Sequence, residues 1–317
     1  MAGKNIIHIG LPKTGSSFIQ HDIFPNLSNI KIDYDFNNRR LRRLLRNSVV
    51  YNDADNDCKI KKQLDDSLHF LSIEALAGWN PRAWEQRADR NLELFGHNSI
   101  IVISLRETKD ILRSIYLQML HKGLIVYPEN FFIRSQQYDM LSPSLIPSKL
   151  QCLDIDSFDY QRLKRIYEER FDIVYCVPWK KMVDLSFFSW ILNLTNDQAC
   201  FLKKNKKPKN VGFSKTAVKL TFLRESVFNV FGGTTAARGF QHPIQGAVVK
   251  RPYNILRHFP NWQSFMQNIV DRVVPYEKYQ LPKSVRWNEE LARTNDELIH
   301  CLDKDWDAIF TCNETLD

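Results

Sequence analysis

The chain lacks every arrangement of cysteine that would fix its chemistry at once. Its six cysteines (Cys58, Cys152, Cys176, Cys200, Cys301, Cys312) lie far apart, and none forms a Cys-x-x-Cys pair. That excludes the common zinc patterns and a disulfide framework, and it favours reduced, mostly buried thiols. No apolar run approaches the roughly 18–20 residues of a membrane span. The N-terminus runs almost directly into an apolar strand pattern with no leader-like segment, so the expected compartment is cytoplasmic. Internal repeats, low-complexity tracts and a clear linker are also missing, and one domain of 317 residues is the economical reading. What is present is ordinary globular composition, 44% hydrophobic and 25% charged, with a net charge of +8. A basic balance suits an anionic ligand, a nucleic acid or an anionic membrane without choosing among them.

The most informative stretch is the first strand-to-helix turn, Ile6-Ile7-His8-Ile9-Gly10-Leu11-Pro12-Lys13-Thr14-Gly15-Ser16-Ser17-Phe18-Ile19-Gln20. An apolar run ends in glycine, a lysine, a second glycine and two hydroxyls follow, and a helical pattern begins. Backbone N–H groups at such a helix start, together with the helix dipole, make an anion cradle. Gly10 and Gly15 keep the glycine spacing of a Walker A loop, but Ser16 stands where the Walker lysine belongs and the lysine sits inside the loop at position 13.

Further along, Leu68–Ser72 reads as a strand, 83–95 as a helix, and Ser99–Leu105 as the clearest buried parallel strand, its apolar run nearly continuous. Thr108–His121 reads as a helix, 160–170 as another, Phe171–Val177 as a strand and 183–193 as a helix. The segment 31–66 is polar, with the Arg39–Arg43 run on a solvated helix face and 52–57 in a loop, and 125–150 reads as an irregular excursion. Beyond residue 210 the pattern is helical at 214–231, 261–270 and 288–302, with a loop region over 232–260. The expected fold is α/β: a three-layer P-loop-type parallel sheet flanked by helices, its core over roughly 1–210 and a mainly helical extension over roughly 211–317.

A second anchor follows the central strand. Arg106 leaves the strand end and Ser114 lies eight residues on, in the next helix. In a parallel sheet ligands bind beyond the carboxyl ends of the strands, where Lys13 and Arg106 both fall. A guanidinium can take phosphate oxygens in pairs, and a hydroxyl can fill another acceptor.

Together the loop Pro12-Lys13-Thr14-Gly15-Ser16-Ser17 and the Arg106/Ser114 pair resemble the 5′-phosphosulfate and 3′-phosphate motifs of sulfotransferases that use 3′-phosphoadenosine 5′-phosphosulfate (PAPS). Looser matches tie the chain to bacterial carbohydrate-sulfotransferase-like proteins: Ser72-Ile73-Glu74, the basic loop Lys207-Pro208-Lys209-Asn210 with Gly212 where that family has Ser, and the Asn-containing helix from Asn288 to Leu302. The resemblance implies transfer of a sulfuryl group from PAPS to a hydroxyl or amine, on a carbohydrate or glycolipid acceptor, with adenosine 3′,5′-bisphosphate as product and no metal required. It implies Lys13 at the oxygen between sulfur and the departing 5′-phosphate. Pro12 to Ser17 would cradle that phosphate, and Arg106 and Ser114, with Lys207 and Asn210, would hold the 3′-phosphate side. The acceptor needs a base. Glu74 is the first candidate and His21 the second, with His69 and Asp22 behind them. The cluster Lys203–Lys209 reads either as a solvated basic loop or as a lid.

Three other readings compete. A nucleotide-dependent kinase or other phosphotransferase would need a Walker lysine after Gly15, which is absent. A nucleic-acid-binding module fits the net charge but brings no recognised motif. A degenerate, non-catalytic member of the same fold sits poorly with an intact Lys13. Oligomeric state and acceptor identity leave no trace in the sequence.

Overall fold

The structure is a computed structural model that describes residues 5–14, 19–27, 31–34, 37–50, 52–64, 69–74, 76–121, 125–140, 152–204, 213–230, 270 and 273–314. Its strands are β1 (Ile6–His8), β2 (Lys31–Tyr34), β3 (His69–Ser72), β4 (Ile100–Leu105), β5 (Phe132–Ile133), β6 (Leu153–Asp154) and β7 (Ile173–Pro178). Five of them form one parallel sheet in the order β2-β3-β1-β4-β7. The expected α/β architecture, a parallel sheet flanked by helices, is therefore present.

The reason lies in the strand sequences. Side chains alternate across a strand, so an unbroken apolar run feeds two cores at once. Ile7, Leu71, Ile101, Ile103 and Leu105 enter one core. Ile6, Phe70, Ile100 and Val102 enter the other. The first core is closed by α3 (Trp84–Phe95), α4 (Thr108–His121) and α7 (Tyr160–Glu168), through Trp84, Ile111, Tyr116 and Leu163. On the opposite face Ile19, Ile23 and Phe24 pack with Met182, Phe187 and Phe188, which belong to α8 (Trp179–Val183) and α9 (Ser186–Ile191).

Chain order fixes where a ligand can enter. From β1 the chain goes to the far side of β3 and returns, then passes to β4 on the other flank and on to β7. The strand order reverses between β1 and β4, and a crevice opens beyond the carboxyl ends of strands at such a point. The two anchors of the sequence, Lys13 and Arg106, follow those two strands.

After α10 (Asn196–Lys204) and α11 (Lys215–Val230), the C-terminal helix α12 (Glu289–Glu314) fastens the elements that follow the crevice. Asn295, fully buried, accepts from the Tyr160 backbone N–H at 2.8 Å and donates to the Phe158 carbonyl at 2.8 Å, so it holds the start of α7. Asp296 accepts from the N–H and the hydroxyl of Thr108 at 2.8 and 3.1 Å, capping α4 just after Arg106. A carboxylate there also meets the positive end of the helix dipole.

Several elements differ from the sequence reading. The expected helix over 16–24 is, in its described part, one π turn (Ile19–Ile23) running into a 3₁₀ turn (Phe24–Asn26). Pro25 removes an N–H that a continuing α-helix would use. The polar segment 31–66 hides the edge strand β2, whose charged residues break the apolar run by which strands are recognised. The expected loop at 52–57 is a 3₁₀ turn capped by Asp53 that passes into α2 (Asp57–Lys61). The excursion over 125–150 contains α5 (Pro128–Phe131), β5 and α6 (Ser135–Met140), and β5 pairs with β6 in a second, two-stranded sheet. The last helix runs to residue 314, beyond the expected 302. The Arg39–Arg43 run does lie on a helix, α1 (Arg39–Leu45), with Leu41, Leu44 and Leu45 turned inward and Asn38 as its cap.

Because Asn295 serves two buried backbone groups at once, Asn295→Ala is expected to destabilise the protein by about 2–4 kcal/mol, as two orphaned polar groups would. Asn295→Asp, which turns an acceptor oxygen towards the Phe158 carbonyl and buries a charge, is expected to cost at least as much. Chemical denaturation of the three proteins measures this, and a change under about 0.5 kcal/mol in Asn295→Ala would refute the fastening role.

Candidate functional site

At the end of β1 the backbone turns sharply. Gly10 has φ of +43° and Lys13 φ of +71°. Left-handed backbone costs an ordinary residue of order 1 kcal/mol, and such strain persists only where the surroundings enforce it. Here the enforcing group is visible. Arg106, leaving β4, donates from Nη1 to the Lys13 carbonyl at 3.0 Å.

Arg106 is itself held on every side. Its guanidinium lies over the Trp179 ring, 4.9 Å from the centroid, and the Trp179 indole N–H donates to Glu107 at 3.0 Å. Its own carbonyl accepts from the Tyr160 hydroxyl at 2.6 Å. Asp110, one turn into α4, stands 3.6 Å from Arg106 and also pairs with Arg113 at 2.9 Å and Lys278 at 3.6 Å. Three cations from three segments thus converge on one carboxylate.

Lys13 is half-buried. Burial pulls its ammonium below the ordinary lysine range, the Glu74 carboxylate pushes it back up, and Arg106 adds a smaller downward push. Glu74 stands two residues past the end of β3, and its Cα would lie 3.9 Å from a Cβ placed on Gly10. The structure therefore brings Lys13, Glu74 and Arg106 to one sheet edge from three neighbouring strand ends.

Beneath the loop runs a buried polar row. His8 Nδ1 lies 2.8 Å from the Ser72 hydroxyl and Nε2 lies 3.1 Å from the Ser104 hydroxyl. Ser104 in turn meets the Thr14 hydroxyl, which donates to the Leu11 carbonyl at 2.7 Å. Gln20 donates to the Ser72 carbonyl at 3.0 Å. Burial without a charged partner pushes the His8 imidazole down to about 4.

Of the remaining sequence candidates, Pro12 is buried in the turn and Ser114 is half-buried on α4. Thr14 is fully buried with its hydroxyl committed inward, so only its backbone N–H is left to meet an anion. His21 and Asp22 fall within the π turn after the loop, and His69 falls on β3. Gly15, Ser16, Ser17, Lys207 and Asn210, with most of the Lys203–Lys209 cluster, lie outside the described residues. Sequence reasoning passed over Trp179, Asp110 and the His8 row as site residues. The available signal was position: Trp179 immediately follows β7, and His8, Ser72 and Ser104 are polar residues at or near the carboxyl ends of β1, β3 and β4.

Among the described residues no group of three or more His, Cys, Asp or Glu is placed to hold a metal ion, and no helix is long and apolar enough to cross a membrane. No family model, curated protein or solved structure matches the chain.

The buried imidazole generates a pH prediction. Its folded value of about 4 lies below the ordinary 6.5, so between those limits the unfolded chain binds the extra proton. Stability from neutral His8 is complete above about pH 6.5 and is lost as pH falls towards 4, up to about 3 kcal/mol. Urea denaturation at pH 7, 5.5 and 4.5 should show this loss in the natural chain and a shallower one in His8→Asn. Parallel pH profiles for the two proteins would contradict it.

Proposed function

We propose that the chain is a PAPS-dependent sulfotransferase, moving a sulfuryl group from that nucleotide to a hydroxyl or amine of a carbohydrate or glycolipid acceptor. The observation that carries the reading is the tie between the strained Lys13 backbone and the Arg106 guanidinium at the reversal of strand order. It sets two cations side by side where one doubly anionic nucleotide would need them. The sequence supports the donor class, since the lysine sits inside the loop rather than after Gly15.

The residues fit such a donor. Lys13 and Arg106 repel one another, and an anion between them would relieve that repulsion. Arg106 also keeps a buried Nε–H with no hydrogen-bond partner among the described residues, donor capacity that a phosphate oxygen would use once the guanidinium shifts. Arg113 and Lys278 add positive charge on the Ser114 side.

In this mechanism the bond from sulfur to the 5′-phosphate oxygen breaks as a bond from sulfur to the acceptor oxygen or nitrogen forms. The acceptor's proton passes to a base, with Glu74 first in line because it reaches the same edge as Lys13. Lys13 offsets the charge that grows on the departing oxygen, and positioned charge of this kind is where most of the acceleration in group transfer arises. Arg106 has two tasks, gripping the nucleotide and keeping the Lys13 turn in shape.

Thermal-shift titration is the direct test. Adenosine 3′,5′-bisphosphate at about a hundred times its Kd should stabilise the fold by about 2.7 kcal/mol, with ATP and ADP at equal concentration giving clearly less. Equal or greater stabilisation by ATP would sink the donor assignment. Using labelled donor and a panel of sugar acceptors, Lys13→Ala should lower turnover by about 10²–10³ while leaving nucleotide affinity within a few-fold. Arg106→Ala should lower both turnover and affinity, and Arg106→Lys should rescue neither fully, because an ammonium lacks the planar fork. Undiminished transfer by Lys13→Ala refutes its role, and normal turnover by Glu74→Gln moves the base elsewhere.

A further inference from the structure

The polar row beneath the loop has a direction that can be worked out bond by bond. The Ser72 carbonyl can only accept, so the Gln20 atom facing it at 3.0 Å is the amide nitrogen, and that nitrogen also reaches the Ser72 hydroxyl oxygen at 3.3 Å. With its oxygen accepting there, Ser72 has its hydroxyl proton free to donate to His8 Nδ1 at 2.8 Å. Nδ1 is then the bare nitrogen, and the ring proton sits on Nε2, donating to Ser104 at 3.1 Å. From the other end the Leu11 carbonyl can only accept, so Thr14 donates to it and receives from Ser104. The Leu11 end forces this tautomer, because the single Ser104 proton goes to Thr14, and the Gln20 end accommodates it. Every hydroxyl donates once and accepts once, and one neutral tautomer satisfies the whole chain from Gln20 to Leu11.

The row is also placed with purpose in the fold. His8, Ser72 and Ser104 fall on the strand face that carries Ile6, Phe70 and Val102, at its carboxyl end. Thr14 closes the described first half of the loop, and Gln20 belongs to the first turn after it. A single imidazole thus fastens the chain on both sides of the anion loop to the three central strands. Gly10 leaves room for it, since a Cβ there would come 3.3 Å from the His8 ring.

We infer that His8 is a positioning residue for the loop, held as the neutral Nε2–H tautomer, which ties the entry at Thr14 and the exit at Gln20 to one point and so sets the turn that presents Lys13. What the loop binds rests on the sulfotransferase reading; the fastening does not. Protonation would spoil it, because a second ring N–H would face the Ser72 oxygen and leave that hydroxyl's proton without an acceptor. The low titration of the buried ring keeps this from happening at neutral pH.

The tests use the whole chain. Nitrogen-15 NMR of ring-labelled histidine should show His8 neutral, with the proton on Nε2, from pH 8 down to 5. A His8 signal that titrates near 6.5, or carries its proton on Nδ1, overturns the assignment. Ser104→Ala breaks the arm to Thr14, and Ser72→Ala removes the hydroxyl that links the imidazole to Gln20 while leaving the Gln20 bond to the residue-72 carbonyl, each with little change in volume. The apparent pKa of Lys13, read from the pH dependence of its acylation by mass spectrometry, should rise towards the ordinary lysine value of 10.5 in Ser104→Ala and stay depressed in Ser104→Thr. A residue that only stabilised the fold would lower the melting temperature without moving Lys13, and an unmoved Lys13 in both alanine variants refutes the proposal. Affinity for adenosine 3′,5′-bisphosphate should fall about tenfold in Ser104→Ala, the equivalent of one buried hydrogen bond. If the natural chain binds no nucleotide, the donor assignment falls, while the His8 tautomer and the Lys13 titration still decide the fastening.

Discussion

A guanidinium bound to a carbonyl at the neighbouring strand end is the interaction on which the site depends. Arg106 holds Lys13 in a backbone conformation that lysine does not choose, and it can do so only because β1 and β4 are neighbours in register. That neighbourhood rests on the double burial of both strands. Ile7 and Ile101 pull to one face while Ile6 and Ile100 pull to the other, and a sheet held from both sides cannot easily slip. Tyr160 and Asp296 then fix the Arg106 carbonyl and the backbone just after it, so the grip is aimed as well as formed.

The electrostatics follow from this packing. Lys13 and Arg106 are brought close enough to oppose each other's charge, with Glu74 and Asp110 as partial counterweights. The fold accepts this cost at one edge because hydrophobic burial and the buried hydrogen-bonded row below it are ample elsewhere. Two cations held against each other in partly desolvated surroundings attract an anion more strongly than either would in water. The local arrangement says more than the overall charge of +8, which would serve a nucleic acid or a membrane surface as well.

Much of the architecture was legible residue by residue. The run Ser99–Leu105 announced a two-faced buried strand, and Thr108–His121 emerged with the boundaries read from its sequence. Elements with weak local signals were not legible. β2 carries charged residues on a sheet edge, and the short elements between 128 and 140 are held by pairing with Leu153–Asp154 and by Arg82 and Ser135 around the buried Asp154, contacts remote in sequence. The helix expected after the loop is, in its described part, a π turn and then a 3₁₀ turn that contains Pro25, a residue that cannot supply the N–H a longer α-helix would need.

By itself the sequence determined which strands are buried on both faces, that Gly10 and Lys13 sit in a turn after the first of them, and that Arg106 leaves the end of another. These are matters of local pattern, since an apolar run and a glycine state their own requirements. Only the tertiary structure decided that the guanidinium of Arg106 grasps the Lys13 carbonyl, that Trp179 and Asp110 flank it, that the Thr14 hydroxyl turns inward, and that His8, Ser72 and Ser104 form one row. Those facts depend on strand order and register, which bring residues some sixty to a hundred positions apart to within hydrogen-bonding reach and which no local pattern encodes.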